Sequence, residues 1–118
     1  TRSGEHPMAI LGWIGDNGDP DNFLYVLLDK DNTEKGKASN IAFYKSNAVH
    51  DLLIKAQQAS DQAARTRFYE QAQEIIHRDA PWVPLVYGAR VGAHRKQVQN
   101  FSLHPLQIWW LHRVWIGK

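Results

Sequence analysis

The sequence predicts an α+β fold, and three features predict it. Two apolar patterns of helical period follow one another between residues 49 and 76. A short apolar run, Met8–Trp13, is bounded by Pro7 and a glycine-rich stretch. From Trp82 onward the chain turns to valines and aromatics punctuated by Gly88 and Gly92. Helices gathered in one block, with extended segments on either side, make α+β architecture rather than a regular alternation.

Taken in order, Thr1–His6 is polar, contains Gly4 and reads as loop. Met8–Trp13 (MAILGW) reads as a buried strand. Ile14–Asp19 carries Gly15, Asn17 and Gly18 and reads as a loop. A helix is expected from Pro20, because proline suits the first helical position, Asp19 is placed to cap it and Asp21 suits the positive end of its dipole. Phe23, Leu24, Leu27 and Leu28 then form its apolar face.

Asp29–Asn40, rich in Lys, Asp, Asn and Gly, reads as a solvated loop, and Ile41–Tyr44 as a short extended piece. Val49, Leu52, Leu53, Ala56 and Ala59 follow helical spacing, with Ser46 or Asn47 as cap. After Ser60-Asp61 a second helix presents Phe68, Ala72, Ile75 and Ile76, and the short connection makes the two an antiparallel hairpin that Pro81 ends. Trp82–Tyr87 and Ala89–His94 read as extended, with Pro84 confining the first to a sheet edge or a crossing. Gln97–Lys118 reads as loop and short strands around Pro105.

Composition bounds the function. At 118 residues the chain is about one domain in size. With 43% hydrophobic and 22% charged residues it matches an ordinary globular protein. No apolar stretch reaches the length of a membrane-spanning helix. The net charge of +2 is small and evenly spread, which argues against nucleic acid as a partner. Cysteine is absent, which excludes disulfides, thiolate metal sites and a cysteine nucleophile. The chain opens at Thr1 without initiator Met or signal peptide, and three of its five tryptophans (Trp109, Trp110, Trp115) fall in the last ten residues. Both features fit a piece of a longer protein, with the tryptophans packing either in this chain's own core or against a further surface.

Motifs for other chemistries fail on spacing. A calcium loop beginning at Asp16 would place Gly18 and Pro20 at ligand positions and Leu27 where a bidentate glutamate belongs. The Asp29–Glu34 run lacks the glycine of such a loop. Histidines at 6, 50, 77, 94, 104 and 112 form no HxxxH or HExxH pair, so no metal site is expected. His50-Asp51 and the serines form no nucleophile elbow. Glu70 and Glu74 read as an exposed helix face beside Arg67 and Arg78. No catalytic residue and no cofactor is expected. The aromatic C-terminus with Arg95-Lys96 matches no RNA-binding module.

Three stretches together resemble the peptide-binding family of ABC-importer receptors, the extracellular solute-binding proteins of family 5, and especially their dipeptide-binding type. The first is Leu11–Leu24, LGWIGDNGDPDNFL, which is the most specific. The second is Tyr69–Val86, YEQAQEIIHRDAPWVPLV, with Ala72-Gln73, Asp79-Ala80-Pro81 and a proline-containing apolar strand. The third is the order between them: a polar loop, then Phe43-Tyr44-Lys45 ahead of two helices. The resemblance covers the chain from about Met8 to its end.

That resemblance implies a type II periplasmic-binding-protein-like fold of two lobes closing on a peptide. Residues 1–84 would be the C-terminal part of the second lobe. Residues 85–118 would be the hinge crossing and the return to the first lobe, with the hinge near Pro84–Tyr87. It implies as partners a short peptide ligand, the membrane subunits of an ABC importer and the missing N-terminal lobe. It also implies a periplasmic or otherwise extracytoplasmic location, lipid-anchored in a Gram-positive bacterium.

A receptor tolerant of many side chains must hold what all peptides share, and a carboxylate is the natural partner of the ammonium. Taken alone, Asp16 reads as a turn aspartate. The resemblance gives it the role of holding the peptide amino terminus, in a glycine loop whose amides steady its charge. Trp13 and Ile14 stand in the adjoining segment, where Trp13 serves either the cleft wall or a core. Asp19, Asp21 and Asn22 read as cap and turn residues. The family's carboxylate-binding arginine has no matching position. Two other functions stand beside this one: a related receptor for nickel complexes, haem or sugars, and a free-standing carbohydrate or interaction domain using Trp109, Trp110 and Trp115.

Overall fold

The computed structural model describes residues 1–118, and the chain divides into two units, Thr1–Val83 and Pro84–Lys118. The first unit is helical: α1 (Asp21–Leu28), α2 (Asn47–Gln58) and α3 (Gln62–Asp79), with a single 3-10 turn at Lys30–Asn32. The second holds two short strands, β1 (Val98–Gln99) and β2 (Trp115–Ile116), and a 3-10 turn at Leu111–Arg113. Helix and sheet are thus segregated, as α+β predicts. None of the helices is long and apolar enough to cross a membrane.

Local chemistry sets the helix limits. The Asp19 carboxylate accepts the Asp21 N–H at 2.9 Å, so the start of α1 is capped from outside the helix. Ser46 Oγ accepts from Val49 N–H at 3.3 Å and Asp61 Oδ2 from Ala64 N–H at 2.7 Å, giving α2 and α3 side-chain caps. α3 ends at Ala80, which adopts φ 47°, ψ 50°, and donates its N–H to Ile76. A left-handed C-terminal residue stops the helix, and Pro81 cannot extend it.

The core of the first unit lies among the three helices. Leu24, Leu27 and Leu28 of α1 meet Val49, Leu53 and Ala56 of α2 and Tyr69 and Ala72 of α3. Leu53 and Ala56 have no exposed surface. Burying a leucine side chain contributes roughly 1.5–3 kcal/mol, and small alanines at 56 and 72 let helices approach closely. Phe23 lies at the margin of this core, its ring edge-on to Trp82 at 5.8 Å.

The polar run 29–40 departs from the expectation of a solvated loop. Asp29 and Asn40 have no exposed surface, and Ala38 is buried with them. Asn40 explains this: its amide donates to the carbonyls of Asp29 at 3.0 Å and Tyr44 at 2.8 Å and accepts the Tyr44 N–H at 3.3 Å. Asn32 donates to the Tyr25 carbonyl and Ser39 to that of Val26. These side chains supply donors to backbone carbonyls at and after the end of α1, where the helix's own N–H groups run out. Residues 41–44 form a turn rather than an extended piece, with Phe43 at φ 51°.

Met8–Trp13 also departs from expectation. It is neither paired in a sheet nor buried: Met8 and Ile10 are more than four-fifths exposed. The only strand pairing is antiparallel, Val98 opposite Ile116 and Gln99 opposite Trp115. Residues 82–94 likewise lack regular structure. In the second unit Phe101 stacks on Trp109 at 6.1 Å and meets His94 edge-on at 5.3 Å, while Trp110 tilts against His104 at 4.5 Å. Trp109, Trp110 and Trp115 remain more than half exposed.

Candidate functional site

The loop between Ile14 and α1 is built by a relay of short polar side chains. Asn17 Oδ1 accepts the Asp19 N–H at 2.9 Å, and Asp19 Oδ1 in turn accepts the Asp21 N–H at 2.9 Å. Each is a side-chain-to-backbone turn two residues long. Gly18 sits between them at φ +72°, a conformation costing a residue with a Cβ roughly 1–2 kcal/mol.

Three carboxylates stand in this loop and at the first residue of α1, and their surroundings differ. Asp19 is held by Arg65: one guanidinium nitrogen, Nη2, reaches both Asp19 oxygens, at 2.8 and 2.9 Å. Hydrogen bonding from Arg65, then from the Asp21 N–H, holds the Asp19 carboxyl below its usual range despite some opposing burial. The same pairing raises the Arg65 pKa. Arg65 also donates from Nε to the Ala56 carbonyl at 3.2 Å and from Nη2 to the Tyr69 hydroxyl at 3.0 Å, and it lies over the Tyr69 ring. Asp21 accepts from Gln57 Nε2 at 2.7 Å.

Asp16 has no cationic partner. Its contacts are both with Asn22 in the first turn of α1: the Asp16 N–H donates to Asn22 Oδ1 at 2.8 Å, and Asn22 Nδ2 donates to Asp16 Oδ2 at 3.4 Å. Asp16 is exposed, as are Trp13 (42%) and Ile14 (47%). The three residues singled out from the sequence therefore lie on one accessible stretch, and among Asp16, Asp19 and Asp21 it is Asp16 whose carboxylate meets only the Asn22 amide.

Asp19 and Asp21 act in the structure of the loop, as their reading as cap and turn residues anticipates. Sequence reasoning missed Arg65 of α3, which ties this loop to the helices with Tyr69 behind it, and Gln57 of α2, which bonds Asp21 at the start of α1. The available signal was an arginine one helical turn before a core tyrosine on the same helix. Nothing local in the sequence pairs Arg65 with an aspartate 46 positions away.

A second polar cluster brings together Asp29, Asp31 and His50, whose ligand atoms lie within 4.8 Å of one another. That spacing suits a single metal ion. The buried Asp29 carboxylate, however, is already served by protein donors: the Asp31 N–H at 2.8 Å and His50 Nδ1 at 3.0 and 3.1 Å from its two oxygens. A carboxylate only accepts, so Nδ1 carries the hydrogen. The cluster fastens α2 to the end of α1. Glu70 and Glu74 are exposed on α3, as expected.

No protein-family model matches the chain. Di/tripeptide-binding protein 4 of Pseudomonas aeruginosa is 42% identical over 106 residues, 90% of this chain and 20% of that protein. Heme-binding protein A of Haemophilus influenzae is 36% identical over 105 residues, 89% of this chain and 19% of that protein. Among solved structures, the periplasmic binding protein DppA of Helicobacter pylori in complex with the peptide STSA matches with a TM-score of 0.88 and 45% identity, over 98% of this chain and 23% of its own. HbpA2 of Haemophilus parasuis matches with a TM-score of 0.67 and 28% identity, over 90% and 20%. The chain spans about a fifth of the length of these relatives. Over nearly its whole length the chain is similar, in sequence and in fold, to one segment of the solute-binding proteins that include the di/tripeptide-binding proteins and DppA.

Proposed function

We propose that this chain is part of the solute-binding receptor of an ABC importer, that the receptor takes up short peptides, and that Asp16 holds the peptide ammonium. The observation that carries the reading is the inequality of the carboxylates of Asp16, Asp19 and Asp21. Asp19 is neutralised by Arg65 and Asp21 is hydrogen-bonded by Gln57, whereas Asp16 is exposed and has only the Asn22 amide. When a cleft closes over such a carboxylate, a ligand ammonium supplies the missing charge. Trp13 and Ile14, on the same accessible stretch, offer an aromatic wall and backbone groups beside it. The relatives are binding proteins, and the DppA structure holds a peptide, which supports a binder and an extracytoplasmic location.

In this reading residues 1–84 belong to the second lobe, and residues 85–118 cross back to the first, with the hinge near Pro84–Tyr87. The change at Val83 from packed helices to exposed chain supports the division. The exposed apolar side chains at Met8–Leu11 and Trp109–Trp115 are then surfaces for the remainder of the receptor. The importer's membrane subunits would receive the loaded form.

A haem-carrying alternative follows from the likeness to Heme-binding protein A. Calorimetric titration of the full-length protein with Ala-Ala, Ala-Ala-Ala, Ser-Thr-Ser-Ala, haem, a nickel chelate and a maltooligosaccharide separates the readings. Binding of the free peptides supports the proposal. Binding of haem, nickel or sugar with no peptide binding overturns it.

A further inference from the structure

We propose that Arg65 is a positioning residue for the ligand site: through Asp19 it sets the loop that presents Asp16. The inference rests on the peptide-binding reading above and adds to it a residue on α3 whose contacts are directed at the loop. Loop 15–20 is exposed or half-exposed throughout and contributes no side chain to the buried core. Its conformation therefore depends on polar ties. The relay from Asn17 to Asp19 to Asp21 is internal, and Asn22 joins Asp16 to the first turn of α1. The tie from the loop to the helical hairpin is Arg65 on Asp19.

Arg65 is itself fixed before it reaches Asp19. Nε is held by the Ala56 carbonyl in the last turn of α2, and Nη2 by the Tyr69 hydroxyl. The guanidinium plane lies over the Tyr69 ring, 5.1 Å from its centroid. Tyr69 in turn is buried in the helical core. The loop is thus indexed to the core by a chain of contacts, Tyr69 to Arg65 to Asp19. A guanidinium, with its fixed fork of donors, does this more fully than a lysine ammonium.

The pairing also divides the loop's charge. Asp19 takes the arginine, so Arg65 does not compete with a ligand ammonium for Asp16. Removal of Arg65 frees the loop and leaves a second uncompensated carboxylate three residues from the first. If the competent loop then falls to about a tenth of the population, apparent affinity falls about tenfold.

The test uses the full-length protein as wild type, Arg65→Gln, Arg65→Lys, Asp16→Asn and the Arg65→Gln/Asp16→Asn double variant. Hydrogen exchange is read at the Asp16 and Asp21 amides, and affinity is read with Ser-Thr-Ser-Ala and its N-acetylated form. The expected result for Arg65→Gln is exchange at least about tenfold faster at both loop amides, with α2 and α3 amides unchanged. Affinity falls about tenfold for the free peptide and not for the acetylated one, and the double variant binds no worse than Asp16→Asn. Arg65→Lys restores part of both losses. Unaltered loop exchange, equal losses for the two peptides, or losses that add in the double variant overturn the assignment. If Asp16→Asn alone leaves free-peptide binding intact, the ammonium reading falls, and the loop-exchange result by itself decides the role of Arg65.

Discussion

Asn22 grips Asp16 by both its backbone and its side chain, accepting the Asp16 N–H on Oδ1 at 2.8 Å and donating from Nδ2 to the carboxylate at 3.4 Å. One amide therefore fixes the main chain at residue 16 and steadies the charge on its side chain without neutralising it. Asn22→Ala is expected to lower free-peptide affinity about tenfold by releasing this grip. Asn22→Asp keeps the shape but sets a second carboxylate against the first, and the two variants separate geometry from charge. Calorimetric titration of both with a free peptide checks this; wild-type affinity in Asn22→Ala counts against the grip.

Asp29 is buried without exposed surface, and His50 Nδ1 on a neighbouring helix reaches its carboxylate at 3.0 Å. Removing one member of a buried pair leaves the other uncompensated. His50→Ala is expected to destabilise the protein by about 3 kcal/mol, and Asp29→Asn added to it to recover part of that loss. Denaturant unfolding of the single and double variants measures both quantities. Simple additivity of the two substitutions contradicts the pairing.

Ala80 holds a left-handed conformation, φ 47°, that costs a side-chain-bearing residue roughly 1 kcal/mol. Glycine adopts it freely, so Ala80→Gly is expected to raise stability by up to about 1 kcal/mol, less the greater freedom glycine brings to the unfolded chain. Thermal unfolding against wild type reads the change. A clear loss of stability contradicts a strained left-handed cap at this position.

The Asp19 carboxyl sits below its ordinary value of 3.8, chiefly because Arg65 hydrogen-bonds it. A depressed carboxyl contributes stability that is present above its unfolded pKa and lost as pH falls through its folded pKa. The contribution is therefore complete at neutral pH and declines only below about pH 4. Urea unfolding from about pH 7 down to about pH 2.5 should show wild type losing stability more steeply than Asp19→Asn in that acid range. Parallel curves contradict the Arg65 tie.

Much of the helical unit was legible because its determinants are local. The helices, the Ser46 cap and the Pro81 stop rest on side chains within a turn of the backbone they serve. The reading of Met8–Trp13 as a strand failed because pairing is non-local: apolar residues propose a strand, and a neighbouring edge must accept it. The polar run 29–40 was misread because composition cannot distinguish a solvated Asn40 from one buried against the carbonyls of Asp29 and Tyr44. At the candidate site, Asp16 is proposed through the motif around it. Arg65 was not legible, since its partner lies on another element and only the fold brings them together.

Asp16→Asn in the full-length protein tests the proposed ammonium anchor most directly. The substitution keeps the shape and removes the charge. Removing one partner of a charged pair in a closed site costs roughly 2–5 kcal/mol, about 30- to several-thousand-fold in affinity. Titration with Ser-Thr-Ser-Ala and its N-acetylated form, alongside Asp21→Asn, should show that loss for the free peptide at position 16 and little at position 21. The acetylated peptide should bind weakly to every form. Equal losses at 16 and 21, or wild-type affinity for the acetylated peptide, would contradict the assignment.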